Sequence, residues 1–277
     1  MDLEEGALAL AGRLGDARKR LLYQLAAGGL APLQIGGELR YSPHGEDDST
    51  LKKLSSLLFG GSCFLCRGAA QGVLCAACDA DLPRLAPAVE TRLCPRCALA
   101  SPGGALCGRC LAAAPHYDAT VAALAYVFPA DVLIHALKFR GELALAPLLA
   151  GMLSASIPES EAIDLVVPVP LSSRGLRERG YNQSAEIARC LAARAPVELF
   201  ACERSRDTAA QTALPWSERQ RNVRGAFRCA RRVAGTVAVV DDVMTTGATL
   251  NEVALALKQA GAARVVNWVV ARTYVDV

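Results

Sequence analysis

From residue 117 to the C-terminus, short apolar runs alternate with segments of helical period. "IDLVVPVP" (163–170) reads as a buried strand that proline ends, and "SAEIARCLAARA" (184–195) as the helix after it. "GTVAVV" (235–240) is a second buried run and "ARVVNWVVA" (263–271) another. Between these two, Leu250, Val253, Ala254 and Leu257 fall at i, i+3, i+4 and i+7, one face of a helix that Gly261 can close. Strands joined by helices in this way predict an α/β domain over 117–277, a parallel sheet flanked by helices. Upstream the pattern fades. Residues 1–50 mix short apolar runs with Gly, Pro and the acidic patch "HGEDDS", and form an extension with no sustained period. "TLKKLSSLLFGG" (50–61) has the spacing of a short amphipathic helix and leads into a cysteine-rich module over 51–115.

Eight of the 11 cysteines fall in four C-x-x-C pairs: Cys63 with Cys66, Cys75 with Cys78, Cys94 with Cys97, and Cys107 with Cys110. In a reducing compartment such pairs act as metal knuckles, because two thiolates on one tight turn grip a tetrahedral zinc. Eight thiolates suffice for two structural zinc ions. Eight residues separate the first two pairs, nine the last two, and fifteen lie between the halves, a near-repeat that favours two successive ribbons. A cross-braced arrangement stays open, since the gap from Cys78 to Cys94 also suits a ribbon. Cys190, Cys202 and Cys229 are scattered and read as ordinary thiols.

Composition narrows the class. Of 277 residues, 52% are hydrophobic and 21% charged, which is globular rather than disordered. A net charge of +3 is too small to argue by itself for nucleic acid or membrane binding. No apolar stretch reaches the roughly 18–20 residues of a membrane span, and the best candidate, after Glu142, is interrupted by Pro147. The N-terminus opens with acids and lacks the basic flank and apolar core of a secretory signal, so the chain is expected in the cytoplasm.

The chemistry concentrates at "VVDDVMTTGATL" (239–250), a strand end, a loop and a helix start. Amides at a helix N-terminus have no partner within the helix and lie at the positive end of its dipole, so a phosphate fits there. Gly247 allows close approach, and Thr245, Thr246 and Thr249 supply hydroxyls. The loop is not a Walker A motif, because it lacks the Gly-Lys pair. Asp241 and Asp242 would repel that phosphate, so they need a neutral or cationic partner. The vicinal hydroxyls of a sugar, met directly or through Mg²⁺, satisfy both. The plainer alternative is that the two acids cap the following turn.

With these residues in place, "VVDDVMTTGAT" resembles the ribose-phosphate motif of the type I phosphoribosyltransferase fold. The stretch from "CFLC" through "LKFRG", "VPVP", "RERGYNQS" and "RNVRGAF" resembles the ComF family of competence and DNA-utilisation proteins, including its GntX branch, over roughly 51–274. The resemblance implies a type I phosphoribosyltransferase-like domain behind a double zinc ribbon, with phosphoribosyl pyrophosphate or a related ribose phosphate as ligand. Asp241 and Asp242 would hold the ribose hydroxyls, and Thr245, Thr246, Gly247, Ala248 and Thr249 the 5-phosphate. Arg174, Arg177 and Arg179 in "LSSRGLRERGYNQS" would meet the pyrophosphate with its Mg²⁺, although three arginines in six residues equally describe a solvated face. A second basic stretch, Arg204 to Arg232, has eight arginines against Asp207 and Glu218, and from it Arg219, Arg221 and Arg224 could close over the leaving group. Lys138 in "HALKFRG" is a further anion ligand or an exposed helix end. The candidate catalytic groups are Asp241, Asp242, Arg179 and Arg224.

Two function classes remain. One is a phosphoribosyltransferase or ribose-phosphate sensor, whose acceptor no motif identifies. His44, His116 and His135 match no catalytic pattern. The other is an accessory protein that handles single-stranded DNA beside the uptake machinery with its zinc module and arginines. Aromatics are only 5% of the chain, so phosphate contacts would have to dominate such binding over base stacking.

Overall fold

A computed structural model of the chain describes residues 61–85, 93–205 and 223–273. The expected extension over 1–50 and nearly all of the helix over 50–61 lie outside them. The chain divides into two compact units, Met1–Leu82 and Pro83–Val277. In the first, a tight turn follows Cys63, whose amide donates to Gly68 O and whose carbonyl accepts from Arg67 N. The helix α1, Ala76–Ala80, follows, capped by Cys75.

The second unit opens with the same device. Cys94 N donates to Leu99 O and Cys94 O accepts from Ala98 N. The helix α2, Gly108–Ala112, starts at Cys107. The turn residues Arg67 and Ala98 share the left-handed region, with φ of 64° and 55°, so the near-repeat in cysteine spacing is a repeat of backbone.

The rest is the α/β layer. Strand β1 (Ala119–Ala125) is followed by helices α3 (Ala130–Phe139) and α4 (Leu145–Ser156), strand β2 (Leu165–Pro168), and helices α5 (Ser173–Arg179) and α6 (Gln183–Cys190). Two short strands, β3 (Cys202–Arg204) and β4 (Phe227–Cys229), precede β5 (Thr236–Met244), helix α7 (Ala248–Gln259) and β6 (Arg264–Arg272). Four strands form a parallel sheet in the order β1-β6-β5-β2. The parallel α/β architecture expected from the pattern is therefore what the chain adopts. Helices α4 and α6 pack on the sheet and on each other, and α7 packs on β5, β6 and β4. No described helix is long and apolar enough to cross a membrane.

Three local differences from the pattern have physical causes. Pro147 sits within the first turn of α4, where the missing amide would have had no helical partner, so it does not break the helix. Helix α6 ends at Cys190, short of the apolar pattern. Turns follow in which Leu191 N bonds Ala188 O and Arg194 N bonds Leu191 O, and Pro196 directs Val197 to a parallel bridge with Val166. Finally, Cys202 and Cys229, read above as ordinary thiols, are disulfide-bonded between the directly paired strands β3 and β4.

The core shows how deeply the second cysteine group is embedded. Cys94, Cys97, Leu99 and Cys110 share one apolar cluster with Val237 and Val239 of β5, Val265 and Val269 of β6, and Leu250, Val253 and Leu257 of α7. Composition set both cysteine groups apart from the sheet, but the second belongs to the sheet's own unit.

Candidate functional site

Each cysteine set closes on itself. The thiols of Cys63, Cys66, Cys75 and Cys78 lie within 4.8 Å of one another, as do those of Cys94, Cys97, Cys107 and Cys110. The pairing is sequential and not cross-braced. A tetrahedron with Zn–S near 2.3 Å has sulfur–sulfur edges of about 3.8 Å. The Cys66–Cys75 and Cys97–Cys107 edges are 3.7 and 3.6 Å, so both donor sets fit zinc. Backbone amides support the sulfurs, with Cys78 N donating to Cys75 Sγ and Cys107 N to Cys94 Sγ. The amide of Cys66 leads those that hold Cys63 down, to about 6. Burial pushes against ionisation of Cys94, yet the amides of Cys107, Cys97 and Arg96 outweigh it and bring that thiol to about 7.

The aspartates stand at the C-terminal end of β5, where open α/β sheets present their ligands. Asp242 is 2% exposed. Its Oδ1 accepts from Val243 N, and Lys138 Nζ at the end of α3 lies 3.0 Å from Oδ2. Among the described residues no well-aligned hydrogen bond reaches buried Oδ2. This contact is one of charge, and it leaves an acceptor open. Asp241 is half-buried, and its Oδ1 accepts from Ser184 Oγ at 2.9 Å and from Asp242 N. Desolvation first, and the Asp242 charge second, push Asp241 up to about 7. Burial tends to lower Lys138, but Asp242 and then Asp241 hold it above its ordinary value. Neither acid caps α7, whose N-cap is Gly247.

The loop after the acids is shaped by Gly247, at φ 80°. A Cβ there would stand 2.7 Å from Met244 Cε and 3.0 Å from the Tyr117 hydroxyl, so both conformation and space require glycine. Thr246 is buried, and its Oγ1 accepts from Ala248 N, closing the turn. Thr245 and Thr249 are half-buried beside it. A cavity of about 580 Å³ opens over this helix start, lined by Thr246, Gly247 and Ala248, by Tyr117 just before β1 and Arg272 of β6, and by Arg109 and Arg224.

The arginines divide. "LSSRGLRERGYNQS" is not a bare loop: Ser172 caps α5, Gly180 closes it at φ 77°, and Asn182 caps α6 while its amide nitrogen donates to Val169 O. Arg174 and Arg177 are exposed, with Arg174 paired to Glu178 at 2.7 Å. Arg179 turns inward, donating to Gln183 Oε1 and lying 5.0 Å from the Phe139 ring, whose other neighbours include Lys138. Arg224 is exposed at the cavity wall. Arg219 and Arg221 lie outside the described residues. Sequence reasoning passed over Ser184, which "YNQS" placed within reach, and over Arg109, Tyr117 and Arg272, which carry no motif and meet the loop only through the fold.

Comparison with known proteins agrees with the pair of four-cysteine ribbons. The double zinc ribbon domain family matches residues 54–111. The DNA utilization protein YhgH of Escherichia coli (strain K12) is 34% identical over 226 residues, 77% of this chain and 97% of the relative. Its counterpart in Salmonella typhimurium is 36% identical over 233 residues, with the same coverage of 77% and 97%. Competence protein F of Haemophilus influenzae is 30% identical over 182 residues, 60% of this chain and 78% of that protein.

Proposed function

The chain belongs to the ComF family, that of the DNA utilization protein YhgH and competence protein F, and on this premise we propose that its α/β unit binds phosphoribosyl pyrophosphate or a related ribose 5-phosphate. The observation that carries the reading is the open acceptor on buried Asp242, next to half-buried Asp241 and one short turn ahead of the loop at 245–249. Lys138 offsets the charge of that oxygen but leaves lone pairs that a hydroxyl can fill, and a ribose offers two adjacent ones. The loop amides and the start of α7 would take the 5-phosphate.

Arg179, which shares the Phe139 ring with Lys138, and Arg224 at the cavity wall would meet the pyrophosphate end, and the sequence motif adds Arg219 and Arg221 as candidates. Arg174 and Arg177 have the weaker claim, given their exposure. Lys138 acts as counter-ion to the acid pair. Mg²⁺ bound with the pyrophosphate would supply charge neutralisation of the leaving group. If an acceptor is present, its lone pair forms the new bond at the anomeric carbon, the C–O bond breaks with its electrons leaving on pyrophosphate, and the acceptor gives up its proton. The aspartates would orient the ribose, and the arginines would stabilise the departing charge.

Calorimetry of the zinc-loaded full chain with phosphoribosyl pyrophosphate, with and without Mg²⁺, tests the proposal. Saturable binding is expected, and pyrophosphate release with candidate acceptors separates a transferase from a sensor. No binding in either condition overturns the reading. The names of the relatives favour a second reading, an accessory protein that handles single-stranded DNA through the zinc module and arginines. That reading expects affinity for single strands to fall steeply with salt, because counterions released from phosphates drive the binding.

A further inference from the structure

The guanidinium of Arg272, the last residue of β6, is 1% exposed and surrounded by carbonyls. Nε donates to Cys97 O at 2.9 Å. Nη1 donates to Met244 O at 2.7 Å, to Thr245 O, and to Thr273 O at 3.0 Å. One rigid fork therefore joins a knuckle of the second cysteine set to the two residues that open the phosphate loop. The neighbouring knuckle carbonyls are held as well. Thr120 of β1 donates through Oγ1 to Arg96 O at 2.6 Å and through its amide to Pro95 O at 3.1 Å. Three successive carbonyls, 95 to 97, are thus fixed by the sheet. The same ribbon supplies Arg109, on α2 between Cys107 and Cys110, to the cavity that Thr246, Gly247 and Ala248 line.

We infer that the second four-cysteine ribbon is a positioning element of the phosphate loop, with Arg272 as the tether, so that metal at Cys94, Cys97, Cys107 and Cys110 sets how firmly the loop binds an anion. This rests on the ribose-phosphate reading of that loop. The physical chain is short. Metal draws the four sulfurs, which lie within 4.8 Å of one another, into one tetrahedron, and without it nothing bonds the two turns of the ribbon together, so the knuckle relaxes. Cys97 O moves with it, and the fork loses its anchor on one side. Met244 and Thr245 then keep a partner that is no longer fixed. Anion affinity at a loop of backbone amides depends on their being aimed before the ligand arrives, because loop ordering otherwise subtracts from the binding free energy. Arginine is required, since a lysine has one nitrogen and no fixed fork to span carbonyls in two segments.

Hydrogen exchange combined with phosphoribosyl pyrophosphate titration of the full chain tests the tether apart from the reading of the ligand. Two variants approach it from opposite ends: Cys107→Ser, shown by metal analysis to have lost one zinc, and Arg272→Lys. Both are expected to speed amide exchange over 245–248 at least tenfold and to weaken binding at least tenfold. The amides of Val237, Ala238 and Val239, in the interior of β5, should lose less protection than the loop, because a general loss of stability would speed both alike. Unchanged loop exchange in Cys107→Ser overturns the tether, whether or not Arg272→Lys folds. Faster loop exchange with the parent's affinity overturns the link between metal and anion. A parent that binds no sugar phosphate, while the loop still loosens in both variants, removes the ribose-phosphate reading and leaves the tether standing.

Discussion

Asp241 carries the least comfortable charge in the site. Its folded value of about 7 stands above the ordinary 3.8, so the empty fold favours the neutral form. Stability from this group is complete at low pH and is lost as pH rises toward and through 7. Asp241→Asn should therefore raise the melting temperature relative to the parent at pH 8 and do so less at pH 5, which paired melting curves will check. Asp242→Asn should behave differently, because it strips Lys138 of the carboxylate 3.0 Å away. Loss of one partner from a buried pair costs on the order of 3 kcal/mol, and less here because Lys138 keeps some access to water. Either change should weaken ribose-phosphate binding by about 10- to 150-fold, the equivalent of one hydrogen bond to a charged acceptor at roughly 1.5–3 kcal/mol. Isotherms beside the melting curves decide it, and a double variant that binds like the parent ends this reading of the pair. The acids, the glycine and the threonines were legible as a motif because they are contiguous. Ser184 and Lys138 were not legible as partners of the acids, since each reaches them from a separate helix.

Among the elements, α7 depends most on a single position. Gly247→Ala places a methyl against Met244 Cε and Tyr117 Oη in a left-handed conformation. The conformational part alone costs about 1–2 kcal/mol. Denaturant unfolding should show that loss, and sugar-phosphate affinity should fall with it because a loop pushed off Met244 and Tyr117 no longer aims its amides at the ligand. The β3–β4 ribbon offers a second test. Its disulfide spans a sequence separation of 27 residues, for which loop entropy predicts roughly 3–4 kcal/mol of stabilisation. Replacing Cys202 and Cys229 with Ala should lower the unfolding midpoint accordingly, and alkylation of the denatured, unreduced parent should leave this pair unlabelled. Helix and strand types followed from apolar spacing, whereas element ends did not. Helix α6 stops at Cys190 because the chain must turn toward Val197 at the sheet edge, a demand set by a neighbour and not by its own period.

For the whole molecule, metal analysis of reduced protein should find two zinc ions per chain, and less than one would defeat the double-ribbon assignment. Cys94→Ser should lower the melting transition of the α/β unit itself, because Cys94 is 1% exposed in a core shared with β5, β6 and α7. Each kcal/mol lost should appear as roughly 2–4 °C. A loosened ribbon above an undisturbed sheet would contradict that packing. The parallel α/β class, the four-cysteine chemistry and the turn from Asp241 to Thr249 ahead of a helix were all legible along the chain, since each rests on local period or on residues close in sequence. Folding alone built the second ribbon into the sheet's core, turned Lys138 toward Asp242, and made Arg272 the link between a knuckle and the loop. Those contacts join residues far apart in sequence: Arg272 and Cys97 are 175 positions apart. No spacing rule reaches across such a gap. The burial of a guanidinium forces its donors onto whatever carbonyls the packed strands bring near, and that choice exists only once the chain has folded.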